Sequence, residues 1–222
     1  PPTPMHDILI RNGNIYDGNG GAPFVADVAI SGDTITEIGP VDGRARQTID
    51  AGGLAVAPGF INMMCWANAS LIHDGRSQSD IRQGVTLEIL GEGWSMGPLN
   101  DALKAYTKER QGDIRYDIEW TTLRQYLEYL VRRGVSCNVA SFVGAGGVRA
   151  NVLGFADRRP NGEELARMEA LVRQAMAEGA VGLSAALIYA PDSYADTAEL
   201  IALARAAAEY DGLFAAHLRS EG

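Results

Sequence analysis

Four successive segments after residue 54 repeat one order of elements, and this repeat limits the fold more than any other feature of the sequence. Each segment places a helical pattern, a glycine, an apolar strand and a polar loop in that order. Strands joined by helices pair in parallel through right-handed crossovers. The repeat therefore predicts an α/β fold with strands at 85–90, 135–143, 180–188 and 213–217, preceded by Gly84, Gly134, Gly179 and Gly212.

Capping residues mark where two of the predicted helices begin. Asn161 and Glu164 have capping-box spacing, and Asp196 and Glu199 cap the next helix. The segment from 91 to 121 is longer than a strand-to-helix loop usually is. It contains one predicted helix, at 99–110, and is interpreted as an insertion over one face of the sheet.

Residues 7–50 have a different period, because apolar residues alternate in short runs that turn residues separate. Asn12 and Gly13 form a turn pair typical of hairpins, and further strands are predicted at 24–30, 34–39 and 47–50. The sequence therefore predicts a small β-module, the N-terminal part of a β-sandwich, over residues 1–53. The main α/β domain is predicted over residues 54–222.

Two architectures accommodate parallel strands of this kind. An open doubly wound sheet usually carries a glycine-rich phosphate loop after its first strand, and the corresponding residues 61–64 contain no glycine. The glycines within 144–147 follow the third strand without a Walker lysine and are interpreted as a flexible loop rather than a phosphate site. A (β/α)₈ barrel explains the strands better, with about five of its eight units present.

Composition and charge narrow the classes of partner. The net charge of −9 over 222 residues, with Lys and Arg scattered, argues against nucleic acid. No apolar run approaches the roughly 20 residues that a membrane helix requires. Cys65 and Cys137 lie in apolar sequence and are interpreted as buried small side chains rather than a disulfide. The chain begins at Pro1, which fits a removed export signal or a trimmed tag, so the compartment stays open.

In both architectures ligands bind at the carboxyl ends of the parallel strands. The polar residues there that are capable of chemistry are Glu92, Tyr189, His217, Arg219 and Glu221. Neutral imidazole is the commonest zinc ligand. A single histidine at a strand end can equally be a structural hydrogen-bond donor, and the sequence leaves both interpretations open.

Five stretches occur together and in order: 10–18, 57–62 (Ala-Pro-Gly-Phe-Ile-Asn), 83–86 (Gln-Gly-Val-Thr), 179–189 and 217–222 (His-Leu-Arg-Ser-Glu-Gly). In combination they resemble N-acyl-D-amino-acid deacylases, the D-aminoacylase-like members of the amidohydrolase superfamily. The resemblance implies a metal-dependent (β/α)₈ barrel, here its first five units or so, and a small β-sandwich built from both chain ends. It also implies hydrolysis of an amide bond in an N-acylated D-amino acid or a similar compound.

Three departures from that family's pattern concern the metal ligands. Met64 and Trp66 occupy the positions of the first-strand His-x-His, so those two imidazoles are lost. Strand alternation directs both side chains toward the barrel interior and Cys65 toward the helices. Glu92 aligns with the family's metal-binding cysteine and is either a zinc ligand or a hydrogen-bonded carboxylate at the rim. Ala145 stands in the loop where the family often has histidine.

The resemblance implies that His217 is a metal ligand and catalytic residue and that Glu92 is the second ligand. It implies one Zn²⁺ rather than two and a water activated by that metal. A further histidine and a catalytic aspartate are expected beyond Gly222. Because five parallel strands would leave an unpaired edge and an exposed interior, we expect a longer natural protein or a second segment to complete the barrel.

Four more residues are candidates for substrate binding. Tyr189 and Arg219 would hold the substrate's carbonyl and carboxylate groups. The alternatives are that Tyr189 only packs and that Arg219 only pairs with Glu221. Trp66 and Trp94 would wall an apolar acyl pocket, or they would belong to the barrel core.

The predicted partner is a small-molecule N-acylated amino acid or a related amide, without nucleic acid or a membrane, and a homo-oligomer stays open. One alternative is another amidohydrolase activity on the same scaffold, such as a dipeptidase or a cyclic-amide hydrolase. Another is a non-catalytic barrel that binds a ligand or partner, which the missing histidines favour.

Overall fold

The computed structural model describes residues 5–220, which form two compact units that divide between Gly59 and Phe60. The first unit consists of β-structure, and the second contains the described helices and six short strands. No helix within residues 5–220 is both long and apolar enough to cross a membrane.

The first unit is a single five-stranded sheet within the described residues. Its strands are β1 (Met5–Ile15), β2 (Phe24–Ser31), β3 (Thr34–Gly39), β4 (Arg44–Asp50) and β5 (Ala55–Val56). The order is β3-β2-β1-β4, with β5 also paired to β1. Neighbours within β1–β3 are antiparallel, whereas β4 and β5 run parallel to β1. Leu9, Ala29 and Val41 form the buried apolar cluster of this sheet.

The pair Asn12 and Gly13 forms a β-bulge inside β1, so the hairpin turn predicted there is wrong. The register with β2 shifts between Ile10 and Gly13, and Asn12 has φ of +60°. Its backbone N–H donates to Asp27 Oδ1 at 2.9 Å. A Cβ on Gly13 would lie 2.5 Å from a methyl group of Val56, so the neighbouring strand β5 requires glycine there.

The second unit carries parallel strands in chain order, which confirms the predicted α/β class. They are β6 (Phe60–Asn62), β7 (Val85–Leu90), β8 (Asn138–Ser141), β9 (Val143–Gly144), β10 (Gly182–Ala186) and β11 (Leu213–His217). They pair as β6-β7-β8 and β9-β10-β11, and every pairing is parallel. Only Phe142 separates β8 from β9, so these two segments carry the chain from one sheet into the other.

Seven helices connect or flank these strands in the described chain: α1 (Asn68–His73), α2 (Gln78–Ile81), α3 (Asp101–Glu109), α4 (Leu123–Arg133), α5 (Ala145–Leu153), α6 (Gly162–Ala177) and α7 (Thr197–Ala208). Both predicted caps are confirmed. Asn161 and Glu164 form a reciprocal capping box at α6, and Asp196 accepts from the backbone N–H of Glu199 at α7. These bonds satisfy N–H groups that a helix start leaves without intrahelical partners.

The core of the second unit lies between the strands and the apolar faces of the longer helices. Burial of each leucine-sized side chain contributes roughly 1.5–3 kcal/mol. The insertion at 91–121 is fixed to this core by Trp120, which is buried and donates its indole N–H to Met96 O at 2.7 Å. The core includes Leu90, Leu99, Leu123, Tyr126, Leu130, Met168, Val172, Leu183 and Leu203.

The segment 144–147 is the buried start of helix α5, so the interpretation as a flexible loop is wrong. Gly144 and Gly146 lie so close to the backbone around Gly93 that a Cβ on either would overlap it or the Asp192 carboxylate. Gly147 donates its backbone N–H to Gly93 O at 3.3 Å. The glycines therefore allow close packing between two backbone segments, a use of glycine that sequence alone does not distinguish from flexibility.

Strand β6 ends at Asn62, so the strand alternation that predicts inward-facing Met64 and Trp66 does not extend to these residues. Met64 has φ of +56°, which interrupts an extended chain. Trp66 is 63% exposed. The prediction that strand alternation fixes these side chains is therefore wrong, and Trp66 does not belong to the core.

Candidate active site

A pocket of about 390 Å³ opens where β7, β10 and β11 end. The loop after β6, the turn after β7 and the loop after β10 supply its other walls. Ligands bind at this edge of parallel sheets in α/β folds. The lining residues are Trp66, Glu92, Gly93, Trp94, Ala186, Tyr189, Ala190, Pro191, Asp192 and His217.

Glu92 and His217 lie against each other in this pocket. Glu92 Oε1 is 3.4 Å from His217 Nδ1, and the two side chains are 21% and 24% exposed. Gly91 and Gly93 flank Glu92 with φ of +94° and +62°, values that glycine adopts without steric cost. The tight turn after β7 therefore places the carboxylate beside the end of β11.

Trp66 orients the Glu92 carboxylate. Its indole N–H donates to Glu92 Oε2 at 2.8 Å, and Oε1 is the oxygen that faces His217. A donor that fixes one carboxylate oxygen limits the rotation of the group and directs the other oxygen. Trp66 thus acts on the polar end of the pocket as well as lining its wall.

Tyr189 and Trp94 border the same pocket. The Tyr189 ring meets the His217 ring edge to face, with centroids 5.5 Å apart and planes at 77°. Tyr189 is 59% exposed, so its ring packs against His217 while much of the side chain faces solvent. Trp94 is half-buried and stacks on Phe155, with centroids 6.3 Å apart and planes at 16°.

Arg219 is the predicted site residue that does not line the pocket. Its guanidinium donates to Ser193 O at 2.7 Å and Ala195 O at 2.9 Å. These bonds fasten the chain after β11 to the loop after β10. Glu221, the alternative partner, lies outside the described residues. The structure thus brings five of the six predicted site residues to one pocket and places Arg219 beside it.

A network of short polar side chains holds the Glu92 turn in place. Ser184, buried in β10, accepts from Gly93 N–H at 2.9 Å and donates to Gly91 O. Ser95 lies within a Gly-x-Ser-x-Gly pattern at 93–97, but its hydroxyl is buried, donates to Gly97 O and accepts from Gly144 N–H. Ser95 is therefore a structural residue and not an exposed nucleophile.

Asp192 is a pocket residue that sequence analysis did not single out. It is 4% exposed, and its Oδ1 has no hydrogen-bond partner among residues 5–220. Burial raises its pKa to about 7, although backbone N–H groups of Ala186 and Gly146 donate to the carboxylate and oppose that shift. Its place in the loop after a predicted strand was a usable signal, but its burial was not visible in the sequence.

The Glu92–His217 pair fits two ligands of one zinc ion. Zinc binds imidazole nitrogen and carboxylate oxygen at about 2.0–2.2 Å, so two ligand atoms of a tetrahedral site lie roughly 3.3–3.5 Å apart. The 3.4 Å separation of Oε1 and Nδ1 matches this value. Within residues 5–220 no group of three His, Cys, Asp or Glu side chains is arranged to hold a metal. In the described residues, the geometric match to a zinc site is therefore limited to two ligands, Glu92 and His217.

The cysteines are not part of this pocket. Both thiols contact the buried Glu88 carboxylate, Cys137 at 3.1 Å and Cys65 at 3.7 Å, and they form no disulfide. Burial, with Glu88 as a further cause, raises the pKa of each thiol to about 11. Since metal ligation and nucleophilic attack require the thiolate, neither cysteine suits these roles.

Comparisons with known proteins agree with one another, although no protein-family model matches the chain. The chain is 33% identical to D-aminoacylase of Alcaligenes xylosoxydans xylosoxydans over 221 residues, 97% of this chain and 45% of that protein. Its fold matches N-acyl-D-glutamate deacylase from Bordetella bronchiseptica, solved with zinc and a phosphonate mimic of the tetrahedral intermediate. The TM-score is 0.86 at 30% identity, covering 98% of this chain and 46% of that one.

A solved D-aminoacylase, studied for one-metal activation and second-metal attenuation at its binuclear centre, matches with TM-score 0.84 and 31% identity. The matched region covers 98% of this chain and 46% of the D-aminoacylase chain. The chain thus spans less than half the length of the relatives it matches. By sequence and by fold, the chain is similar to D-aminoacylase and to related N-acyl-D-amino-acid deacylases, which are amidohydrolases.

Proposed function

We propose that this chain is part of a metal-dependent amidohydrolase that removes the acyl group from N-acyl-D-amino acids. The observation that carries the proposal is the Glu92–His217 pair, whose 3.4 Å separation suits two ligands of one zinc ion. The pair lies in a pocket at the carboxyl ends of parallel strands. The substrate class is inferred from the relatives named D-aminoacylase and N-acyl-D-glutamate deacylase.

His217 and Glu92 would hold one Zn²⁺ rather than two. A thioether and an indole are poor substitutes for two imidazoles, so Met64 and Trp66 do not supply a second site. Cys65 is turned to Glu88 with a raised pKa. When bound, the metal supplies an activated water and polarises the amide carbonyl. A further histidine ligand and a catalytic aspartate would complete the site.

The chain's own residues would prepare this chemistry. Trp66 holds one oxygen of Glu92 so that the other faces His217. Tyr189 packs against the imidazole, and its hydroxyl would donate to the substrate's carbonyl oxygen. Arg219 would receive the substrate's carboxylate at the pocket edge, using N–H groups beyond those bonded to Ser193 and Ala195. Trp66 and Trp94 would wall the acyl side.

The finer architecture is also proposed: five βα units of a (β/α)₈ barrel over residues 54–222, with a β-sandwich contribution over 1–53. The outer strands β6 and β11 expose large apolar side chains, which a closed barrel would cover. These are Phe60, Ile61, Leu213 and Phe214.

The test combines metal analysis with one substitution in the protein at its natural length, purified without chelator. His217→Ala should remove bound metal and lower N-acyl-D-amino-acid hydrolysis by roughly 10³-fold, because a metal supplies several kcal/mol of transition-state stabilisation. His73→Ala is the matched control, since His73 is exposed on α1 and outside the pocket. It should leave both properties unchanged.

Other results would redirect the proposal. Retained turnover in His217→Ala would exclude that histidine as a ligand. Metal binding with turnover of dipeptides or cyclic amides alone would place the protein elsewhere among amidohydrolases. Absence of both metal and turnover would favour the second candidate, a non-catalytic binding protein, which the replacement of two histidines by Met64 and Trp66 supports.

A further inference from the structure

A second and larger cleft, of about 620 Å³, lies beside the active-site pocket. We call it the α3 cleft, because helix α3 and the residues after it form one wall. The opposite wall comes from the loop after β6 and the segment after β7. Its lining includes Trp66, Ala69, Trp94, Met96, Tyr106 and Tyr116.

The α3 cleft meets the active-site pocket at two residues. Trp66 and Trp94 line both spaces. Trp66 is also the residue whose indole N–H donates to Glu92. A substrate whose reacting amide lies at Glu92 and His217 would therefore extend one of its substituents past these two indoles into the cleft.

Four aromatic side chains line the α3 cleft, Trp66, Trp94, Tyr106 and Tyr116, together with polar residues that include Arg110, Gln111 and Asp113. Tyr106 contacts Phe155, with centroids 4.7 Å apart, and Trp94, with centroids 6.0 Å apart. Arg110, which also lines the cleft, lies over the Tyr106 ring, 4.4 Å from its centroid. Fixed aromatic faces favour a planar apolar group through offset stacking and edge contacts.

We propose that the α3 cleft binds the acyl group of the substrate, and that this group is aromatic rather than formyl or acetyl. The inference rests on the proposed deacylase function and adds its acyl specificity. A space of about 620 Å³ falls in the range of roughly 300–1,000 Å³ that accommodates drug-sized ligands. A one- or two-carbon acyl group would leave the aromatic walls unused.

Gly112 offers a way to fill the cleft without strain. It lines the cleft, and a Cβ there would meet no atom within 4 Å. Gly112→Trp therefore places an indole in the space. Arg115→Trp is the matched control, because it adds the same side chain to the same segment at an exposed position that does not line the cleft.

The readout is the ratio of kcat/KM for N-phenylacetyl and N-acetyl derivatives of one D-amino acid, with D-leucine and D-glutamate each tested. The unmodified protein should prefer the phenylacetyl compound by at least about tenfold, a difference of about 1.4 kcal/mol. Gly112→Trp should remove that preference, and Arg115→Trp should keep it. A ratio near one in the unmodified protein, or a ratio that Gly112→Trp leaves unchanged, would overturn the proposal.

Binding distinguishes failure of the cleft from failure of the proposed function. Calorimetric titration with phenylacetamide should show saturable one-to-one binding that Gly112→Trp abolishes and Arg115→Trp retains. If no N-acyl-D-amino acid is hydrolysed but this pattern holds, the deacylase function is wrong and the aromatic cleft is right. If acetyl substrates are hydrolysed and phenylacetamide does not bind, the function stands and the cleft proposal is wrong.

Discussion

Two groups of ionisable residues lie around the end of β10, and they differ in their access to water. The buried ionic cluster consists of Arg149, Glu199 and Asp192, whose exposures are 1%, 3% and 4%. Asp192 also lines the pocket, so the cluster lies directly behind the pocket wall. The Glu92–His217 pair lines the neighbouring pocket and keeps 21% and 24% of its side-chain surface exposed.

This difference in exposure distinguishes charges that stabilise the fold from charges that are available for chemistry. Arg149 pairs with Glu199 and also donates to Ala156 O and Arg158 O, so its charge is committed to holding α5 and α7 together. A buried charge must be paired and hydrogen-bonded to persist. Glu92 and His217 retain contact with solvent, so they can exchange one partner for another at a smaller cost.

The largest expected effect concerns the buried ionic cluster. Glu199→Gln should lower the free energy of unfolding by roughly 3–5 kcal/mol, because it leaves the Arg149 charge buried without its counter-ion. Urea denaturation of the protein at natural length measures this change.

Two further variants sharpen that result. Asp117→Asn breaks the exposed pair with Lys108, whose side chains are 77% and 62% exposed, and should have little effect because solvent screens it. Adding Arg149→Met to Glu199→Gln should recover much of the loss, since no unpaired charge then remains. If the single and double variants are equally unstable, packing rather than charge holds α5 to α7.

The second effect concerns Asp192 and depends on pH. Its pKa rises from 3.8 in an unperturbed state to about 7 in the fold, chiefly through burial. Its contribution to stability is therefore full below about pH 3.8 and is lost as pH rises through about 7, because the unfolded state then binds fewer protons. Asp192→Asn should remove this loss, so the stability of the variant relative to the original should increase between pH 4 and 7.

The expected size is a few kcal/mol at most, at about 1.4 kcal/mol per pKa unit. Urea titrations of the metal-free protein across this pH range measure it. Asp117→Asn is again the control, because Lys108 lowers the pKa of the exposed Asp117 below 3.8, so this carboxyl titrates below the tested range and the slope there should be near zero. A pH-independent difference between Asp192→Asn and the original protein would contradict a buried, neutralised carboxyl.

The smallest expected effect concerns the Glu92–His217 pair. Trp66→Phe keeps an aromatic ring but removes the N–H that orients Glu92. Loss of such an orienting hydrogen bond typically weakens metal binding by about 10–100-fold. Competition with a chelator would measure the zinc dissociation constant. Trp94→Phe should change it less, because the Trp94 indole makes no hydrogen bond to the Glu92 carboxylate in the described chain. Equal affinity in Trp66→Phe and the original protein would contradict the orienting role.

Elements with strong local signals were predictable from the sequence. Strands β7 and β11 have the predicted bounds, because their apolar runs are set off by glycine and polar residues on either side. The capping boxes depend on side chains three residues apart, so Asn161 with Glu164 formed as predicted. The pocket residues Glu92 and His217 were also identifiable, since parallel strands bring their carboxyl ends to one edge.

Features that depend on neighbouring segments were not predictable. Asn12 and Gly13 form a bulge because β5 packs against Gly13, not because the local sequence prefers it to a turn. The glycines at 144 and 146 initiate a buried helix because Gly93 and Asp192 occupy the space where side chains would be. For Asp192, the sequence showed only that the residue lies in a loop after a predicted strand.

By itself, the sequence determined the α/β class, the parallel strands and the residues that reach their carboxyl ends, because periodicity and capping act within a few residues. Only the tertiary structure decided how those residues meet. It set the 3.4 Å approach of Glu92 to His217, the indole bond from Trp66 and the desolvation of Asp192. Each of these depends on atoms far apart in the chain, and their distances follow from packing that no local pattern encodes.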